Sequence, residues 1–340
     1  MKAWLKRRWS RLDRYVLAIL ASVGLAALVP ARGSSARTVD VLSQVAIGVL
    51  FLLYGARISA RDMWRGLRHW RLQGTVFAAT FVLFPLMGAT FHLVGGALLP
   101  PVLVAGVAFL CLLPSTVQSS IAFTSLAGGD VPAAICAASI SNLAGVVLTP
   151  LLATMVLGSE AHISPGSMLR IAVQILVPFG TGQLARPLIG PALERHRARL
   201  TLVDRGTVLI VVYSAFSAGV VAGIWHELTP GRLAVVLGVD GLILAIVVMI
   251  TWRGSEHLGF VLPERIAVLF CGSKKSIATG IPIAAVLFPR AEVSLIVVPA
   301  MLFHQIQLMV CAVLARRFAD ARTAAAPAPA PLHVETGLST

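Results

Sequence analysis

Two adjacent lysines, Lys274 and Lys275, stand within FCGSKKSIATGIP (Phe270 to Pro282), inside an apolar run from Ile266 to Phe288. One lysine at the centre of a transmembrane helix costs roughly 2.5–3.5 kcal/mol, so a pair is not expected to face lipid. Gly272, Ser273, Ser276 and Thr279 flank the pair. Small and hydroxylated residues around a charge describe an interrupted helix whose freed backbone lines a polar cavity. An ammonium there can face an anion or exchange a proton. A second cluster, CLLPSTVQSSIAFTSLAGGD from Cys111 to Asp130, has a related character. Pro114 has no amide hydrogen and cannot continue the helical ladder. Ser115 and Thr116 follow, placed to cap a second half-helix. That half-helix would point its positive end, with the hydroxyls of Ser119 and Ser120, at the membrane midplane. A single serine or threonine in a membrane helix more often bonds a backbone carbonyl or a neighbouring helix. The cluster, matched to a second break, favours a site.

Further intramembrane polar residues invite two readings each. Asp240, in VLGVDGLILA, is either a functional carboxylate and counter-ion for a lysine or a residue near a helix end facing loop water. His304 is either a proton-sensing group or a satisfied packing histidine. Asn142, beside Ser141, is placed to bond backbone freed at the first break. Glu264 and Arg265 read as an orienting ion pair, and Arg57, Arg61, Arg65, Arg68 and Arg71 as a solvated face near anionic lipid. Cys111, Cys136, Cys271 and Cys311 lie in apolar runs with no CxxC pair, so neither a zinc site nor a disulfide framework is indicated.

The elements that must position these groups follow from composition. The chain is 57% hydrophobic and 12% charged, about half the charged share of a soluble domain. A polytopic membrane protein is expected. The net charge of +14 is scattered between apolar runs rather than gathered on one domain, which argues against nucleic-acid binding. The runs predict ten helices: Tyr15–Val29, Val39–Ile58, Leu72–His92, a broken Pro101–Leu126, Ala133–Leu157, Met168–Leu184, Thr207–Trp225, Leu233–Thr251, the broken Ile266–Phe288, and Ser294–Leu314. The first is read as retained, because VPARGSS offers no small-x-small cleavage site. A Pro/Ala-rich tail from Ala324 is read as disordered. With ten spans, twenty-one Lys/Arg fall on the side of both termini and five on the other, so the termini are expected in the cytoplasm.

Ten spans divide into five and five, residues 15–157 and 168–314, behind a basic segment 1–14 and ahead of the tail 324–340. The fourth helix of each half is the broken one. Paired breaks are the sequence pointer to an inverted-repeat transporter with its site between them.

PSTVQSSIAFTSLAGGD, followed by a helix ending LTPLL, resembles the fourth and fifth helices of the bile acid:sodium symporter family. FCGSKKSIATGIP, with VPAMLFHQIQ in the last helix, is similar to that family's divergent branch, over about residues 10–317. The resemblance implies two inverted five-helix repeats, helices 4 and 9 broken and crossing, and a panel domain moving against a core domain. It implies ion ligands in three places: the helix 4 break, a helix 5 hydroxyl, and a carboxylate with amides on helix 9. Ser119, Ser120 and Ser141 match the first two. At the third, Phe270 or Cys271 replaces the carboxylate and Lys274–Lys275 replace the amides. An ammonium repels sodium, so sodium coupling is not expected, and proton coupling or uniport stands in its place.

The expectation is an all-α membrane protein of the bacterial inner membrane, a secondary transporter of a small organic solute, with an anion favoured. The site would comprise Pro114, Ser115, Thr116, Ser119, Ser120, Ser141, Asn142, Ser273, Lys274, Lys275 and Ser276, with Asp240 and His304 as proton or counter-ion groups. Lys275 is expected to join helix 9 to the hydroxyls of Ser119, Ser120 and Ser141, and Lys274 to face substrate. No cofactor, metal or nucleic acid is expected. A non-transporting regulatory protein of the same fold is the alternative. A Ser273–Lys intramembrane hydrolase comes third, without GxSxG or HExxH to support it.

Overall fold

The computed structural model describes residues 14–57, 69–158, 172–223 and 228–325, and every regular element among them is helical. The basic N-terminal segment, Arg61, Arg65 and Arg68, the link at 159–171 and the tail from residue 326 lie outside the described residues. Helices α1 (Arg14–Leu28) and α2 (Ser34–Arg57) come first. Helix α3 runs from Trp70 to Val94 through a π-helical stretch, Ala79–Leu83. Helix α4 is split into α4a (Pro101–Leu112) and α4b (Gln118–Ala127), and α5 is Val131–Leu157. Helix α6 (Val177–Arg195) follows a second π-helical stretch, Ala172–Leu176. Then come α7 (Arg197–Ala222), α8 (Pro230–His257), the split pair α9a (Leu262–Gly272) and α9b (Ile277–Leu287), and α10 (Arg290–Ala325).

Seven of these stretches are long and apolar enough to cross a membrane, which makes the chain an integral membrane protein. One of them is α9 taken whole, Leu262–Leu287, and 94% of its most apolar window is buried. In the other six the buried share is 28–44%. Helix α9 is therefore the hub, and its neighbours face lipid with their outer sides. Helix α2 packs along α6, and α7 along α1 and α2, while α3, α4, α5, α8 and α10 gather around α9. Ser22 Oγ donates to Leu209 O at 3.0 Å and Tyr213 OH to Val29 O at 2.8 Å, fastening α1 to α7. The main apolar cluster centres on α4a, where Val107 to Leu113 are buried.

Several helix ends differ from the sequence reading; α6, for one, reaches Arg195 rather than Leu184. Helix α7 begins at Arg197 rather than Thr207, and α10 continues to Ala325 rather than stopping at Leu314. RARLTLVDR and ARRFADARTAAA contain neither Gly nor Pro, and alanine and arginine are strong helix formers, so the helices run on past the apolar stretch. Ala324 and Ala325 accordingly belong to α10 and not to the tail.

Candidate functional site

Each break has a local cause. Leu113 precedes Pro114, and the proline ring disfavours helical geometry for the residue before it. Leu113 is extended (φ −71°, ψ 153°), ending α4a. In α9 the break spans Ser273 to Ser276, and Ser276 restarts the helix by accepting from Thr279 N at 3.4 Å. Helix α4b has no such side-chain cap, which corrects the role expected of Ser115 and Thr116. Ser115 Oγ instead donates to Cys271 O at 2.6 Å, and the Thr116 hydroxyl pairs with those of Ser119 (2.7 Å) and Ser120 (3.1 Å).

The breaks interlock. Ser276 N donates to Pro114 O at 2.8 Å, and Ser120 Oγ to Phe270 O at 3.0 Å. Helix α5 holds the first break from behind. Ser141 Oγ accepts from Ser115 N (2.9 Å), Asn142 Nδ2 donates to Ser115 O (2.9 Å), and Thr149 Oγ1 donates to Leu112 O (2.8 Å). Asn142 Oδ1 also accepts from Thr279 Oγ1 at 2.8 Å, so it touches both breaks. The close approach needs two glycines. A β-carbon on Gly145 would meet the Pro114 ring at 2.6 Å, and one on Gly280 would meet Leu113 at 2.5 Å. Buried backbone polar groups must be paired, and here hydroxyls and amides take over where the ladders stop. Ser273 Oγ takes the local route, donating back to Leu269 O at 2.6 Å.

The two lysines leave the break toward different surroundings. Lys275 Nζ donates to Leu113 O (2.7 Å), Cys111 O (2.8 Å) and Thr80 O (3.0 Å), with the Phe84 ring 4.1 Å away. Its partners are carbonyls, not the hydroxyls of Ser119, Ser120 and Ser141 that the sequence suggests. Lys274 Nζ makes no hydrogen bond and no ion pair among the described residues. It lies over the rings of Phe123 (4.1 Å) and Phe270 (5.6 Å), in a cluster from α4b, α9a and α10 that includes Cys311. Both lysines are 0–1% exposed. A buried charge with aromatic faces alone recovers on the order of 2 kcal/mol of a desolvation cost of several kcal/mol.

Asp240 is fully buried on the inner stripe of α8, and neither carboxylate oxygen has a hydrogen-bond partner. The position near loop water is thereby excluded, and no ion pair joins Asp240 to a lysine among the described residues. His304 is half-buried, with Nδ1 2.8 Å from Gln307 Nε2. Gln307 is the residue that the sequence reading passed over. Its Oε1 accepts from Lys275 N at 2.9 Å and its Nε2 donates to Lys275 O at 3.0 Å, a two-point clamp on the break. An amide inside the apolar run VPAMLFHQIQ was its available signal. Among the described residues no three His, Cys, Asp or Glu side chains gather into a metal site. Glu264 caps α9a, accepting from Val261 N at 3.2 Å, while Arg265 pairs with Glu256 at 2.9 Å.

This geometry can be set beside known proteins. The model of the SBF-like CPA transporter family matches residues 13–320. "Uncharacterized protein PA2026" of Pseudomonas aeruginosa is 48% identical over 325 residues, 93% of this chain and 97% of the relative. "Putative symporter YfeH" of Escherichia coli K12 is 44% identical over 310 residues, 90% of this chain and 93% of its own. Sodium/bile acid cotransporter 7 of Xenopus tropicalis is 25% identical over 306 residues, 88% of each chain. The matching family is one of transporters, related to the bile acid:sodium symporters, and not of enzymes. With nearly its whole length matched, this chain belongs to the SBF-like CPA transporter family.

Proposed function

We propose that the protein is a secondary transporter carrying a small organic anion by alternating access, with its site where α4 and α9 cross. One observation carries the reading: at the crossing the ammonium of Lys275 has three carbonyl acceptors, while that of Lys274 has no hydrogen-bond or ion-pair partner among the described residues. An intramembrane cation kept unpaired at a cost of several kcal/mol is a binding group awaiting an anion. A carboxylate or sulfate reaching Lys274 between α4b and α10 would supply the missing acceptors. Ser119, whose hydroxyl pairs with that of Thr116, stands four residues before Phe123 on α4b, on the helix face that carries the ring beneath Lys274.

In this reading α1, α2, α6 and α7 form the panel, and α3, α4, α5, α8, α9 and α10 form the core. Residues 15–157 and 168–314 are the two inverted repeats, whose fourth helices are the split ones. The chain sits in the bacterial inner membrane with both termini in the cytoplasm, supported by the bias in Lys and Arg. We assign protons, not sodium, as the coupling ion, with Asp240 as the proton-carrying carboxyl because both its oxygens are buried and unbonded.

The test is uptake into proteoliposomes of a labelled bile acid and labelled small mono- and dicarboxylates. Sodium is exchanged for choline, with and without an inward proton gradient. Saturable accumulation driven by the proton gradient and indifferent to sodium is expected. Accumulation that requires sodium would overturn the coupling assignment, and no uptake of any anion would overturn the substrate class.

A further inference from the structure

We propose that Lys275 is a built-in cation, filling a carbonyl cage that would otherwise hold a small monovalent ion. Inside a regular helix each carbonyl is taken by an amide four residues on, so free carbonyls at this depth are scarce. The three that meet Lys275 Nζ come from irregular backbone. Cys111 O and Leu113 O belong to the end of α4a, where Pro114 and the turn that follows supply no helical amides. Thr80 O belongs to the π-helical stretch of α3, just ahead of Pro85, which has no amide hydrogen to offer. Three oxygens at 2.7, 2.8 and 3.0 Å match the three N–H donors of an ammonium. The face of Phe84 closes another side at 4.1 Å.

Rings of backbone carbonyls are what selectivity filters use in place of a hydration shell. Such a cage without a bonded carboxylate suits a monovalent ion rather than calcium or magnesium, which take charged oxygen ligands. Asp240 makes no bond to this ammonium, and among the described residues no carboxylate neutralises it directly. The clamp by Gln307 at both the N–H and the C=O of Lys275 fixes the stem from which the charge hangs. One residue thereby ties α3, α4, α9 and α10 together, with a cation that cannot dissociate. The inference stands apart from the choice of transported solute, because stability alone reads it.

The experiment uses the full-length protein in detergent, its unfolding midpoint followed with temperature at constant ionic strength in choline, sodium, ammonium or methylammonium chloride. The unaltered protein should show the same midpoint in all four salts. Lys275→Ala should unfold several degrees lower in choline and recover in ammonium, methylammonium or sodium, which re-enter the emptied cage. Lys275→Met, which fills the cage with an apolar chain, should be destabilised and not rescued. Stabilisation of the unaltered protein by sodium over choline would overturn the proposal. So would a Lys275→Ala variant indifferent to every small cation. If that variant yields no monodisperse protein in choline, extraction in ammonium must restore it, and failure to do so counts against the cage.

Discussion

Lys274 and Lys275 are neighbours with the same side chain and burial, each with a phenyl ring 4.1 Å away, and they differ in their hydrogen-bond partners. The Lys275 side, built from α3 and α4a, offers three carbonyls to three donors. The Lys274 side, built from α4b and α9a, offers the phenyl faces of Phe123 and Phe270 and no hydrogen-bond partner among the described residues. The first arrangement is complete and has the character of structure. The second is incomplete and has the character of a site. The difference teaches where stability and function divide at a broken helix. Backbone freed by a break can be consumed within the fold, as Ser115, Ser120, Asn142 and Thr149 do. In the proposed reading, the charge left over after that consumption, Lys274, is the group that binds something from outside.

The comparison is broken most severely by removing the completed side. Lys275→Met orphans three buried carbonyls, each worth about 1–3 kcal/mol, so a loss of at least about 3 kcal/mol is expected in denaturant or thermal unfolding. The opposite behaviour is expected next door. Lys274→Met removes an unpaired buried charge, and the unfolding midpoint should stay level or rise, by up to ~2 kcal/mol, while uptake is lost. If both variants lose stability alike, the two sides do not differ as described.

Gln307→Ala should come next, at about 1–3 kcal/mol for the two unmade bonds to the Lys275 backbone. Gln307→Glu keeps the acceptor for Lys275 N and should lose less, a split readable in the same unfolding scans. Asp240→Asn is the smallest in stability, expected within ~1 kcal/mol because no hydrogen bond is broken. Its effect belongs to the pH profile. Uptake by the unaltered protein should rise as the outside becomes more acidic, and Asp240→Asn should flatten that rise. An unchanged slope would return the coupling role to another group or to none.

Much of this was legible in the sequence wherever the cause is local. Pro114 and the Gly272–Lys275 stretch announce their breaks through chemistry that acts within a residue or two, and both breaks occur where expected. The ends of α7 and α10 were not legible, because apolar content marks the membrane and says nothing of a polar helix continuing beyond it. Capping at Ser115 and Thr116 failed because the fold turns Ser115 toward Cys271 O on another helix. The partners of Lys275 could not be read at all. They are backbone carbonyls, carried by every residue alike, and only the crossing of α3, α4a and α9 selects Thr80, Cys111 and Leu113. Gln307 was visible as an amide in an apolar run, yet its target, the Lys275 peptide, is set by the packing of α10 on the break.

The central claim is that Lys274, unlike Lys275, is kept free for an anion. Its most direct test is the unfolding midpoint of the unaltered protein and of Lys274→Met, each titrated with the carboxylate that proteoliposomes accumulate. A ligand bound only by the folded state raises the midpoint with concentration, by about 2.7 kcal/mol at a hundredfold excess over Kd. The account predicts that rise for the unaltered protein and a flat line for Lys274→Met. Equal rises in the two proteins would contradict it.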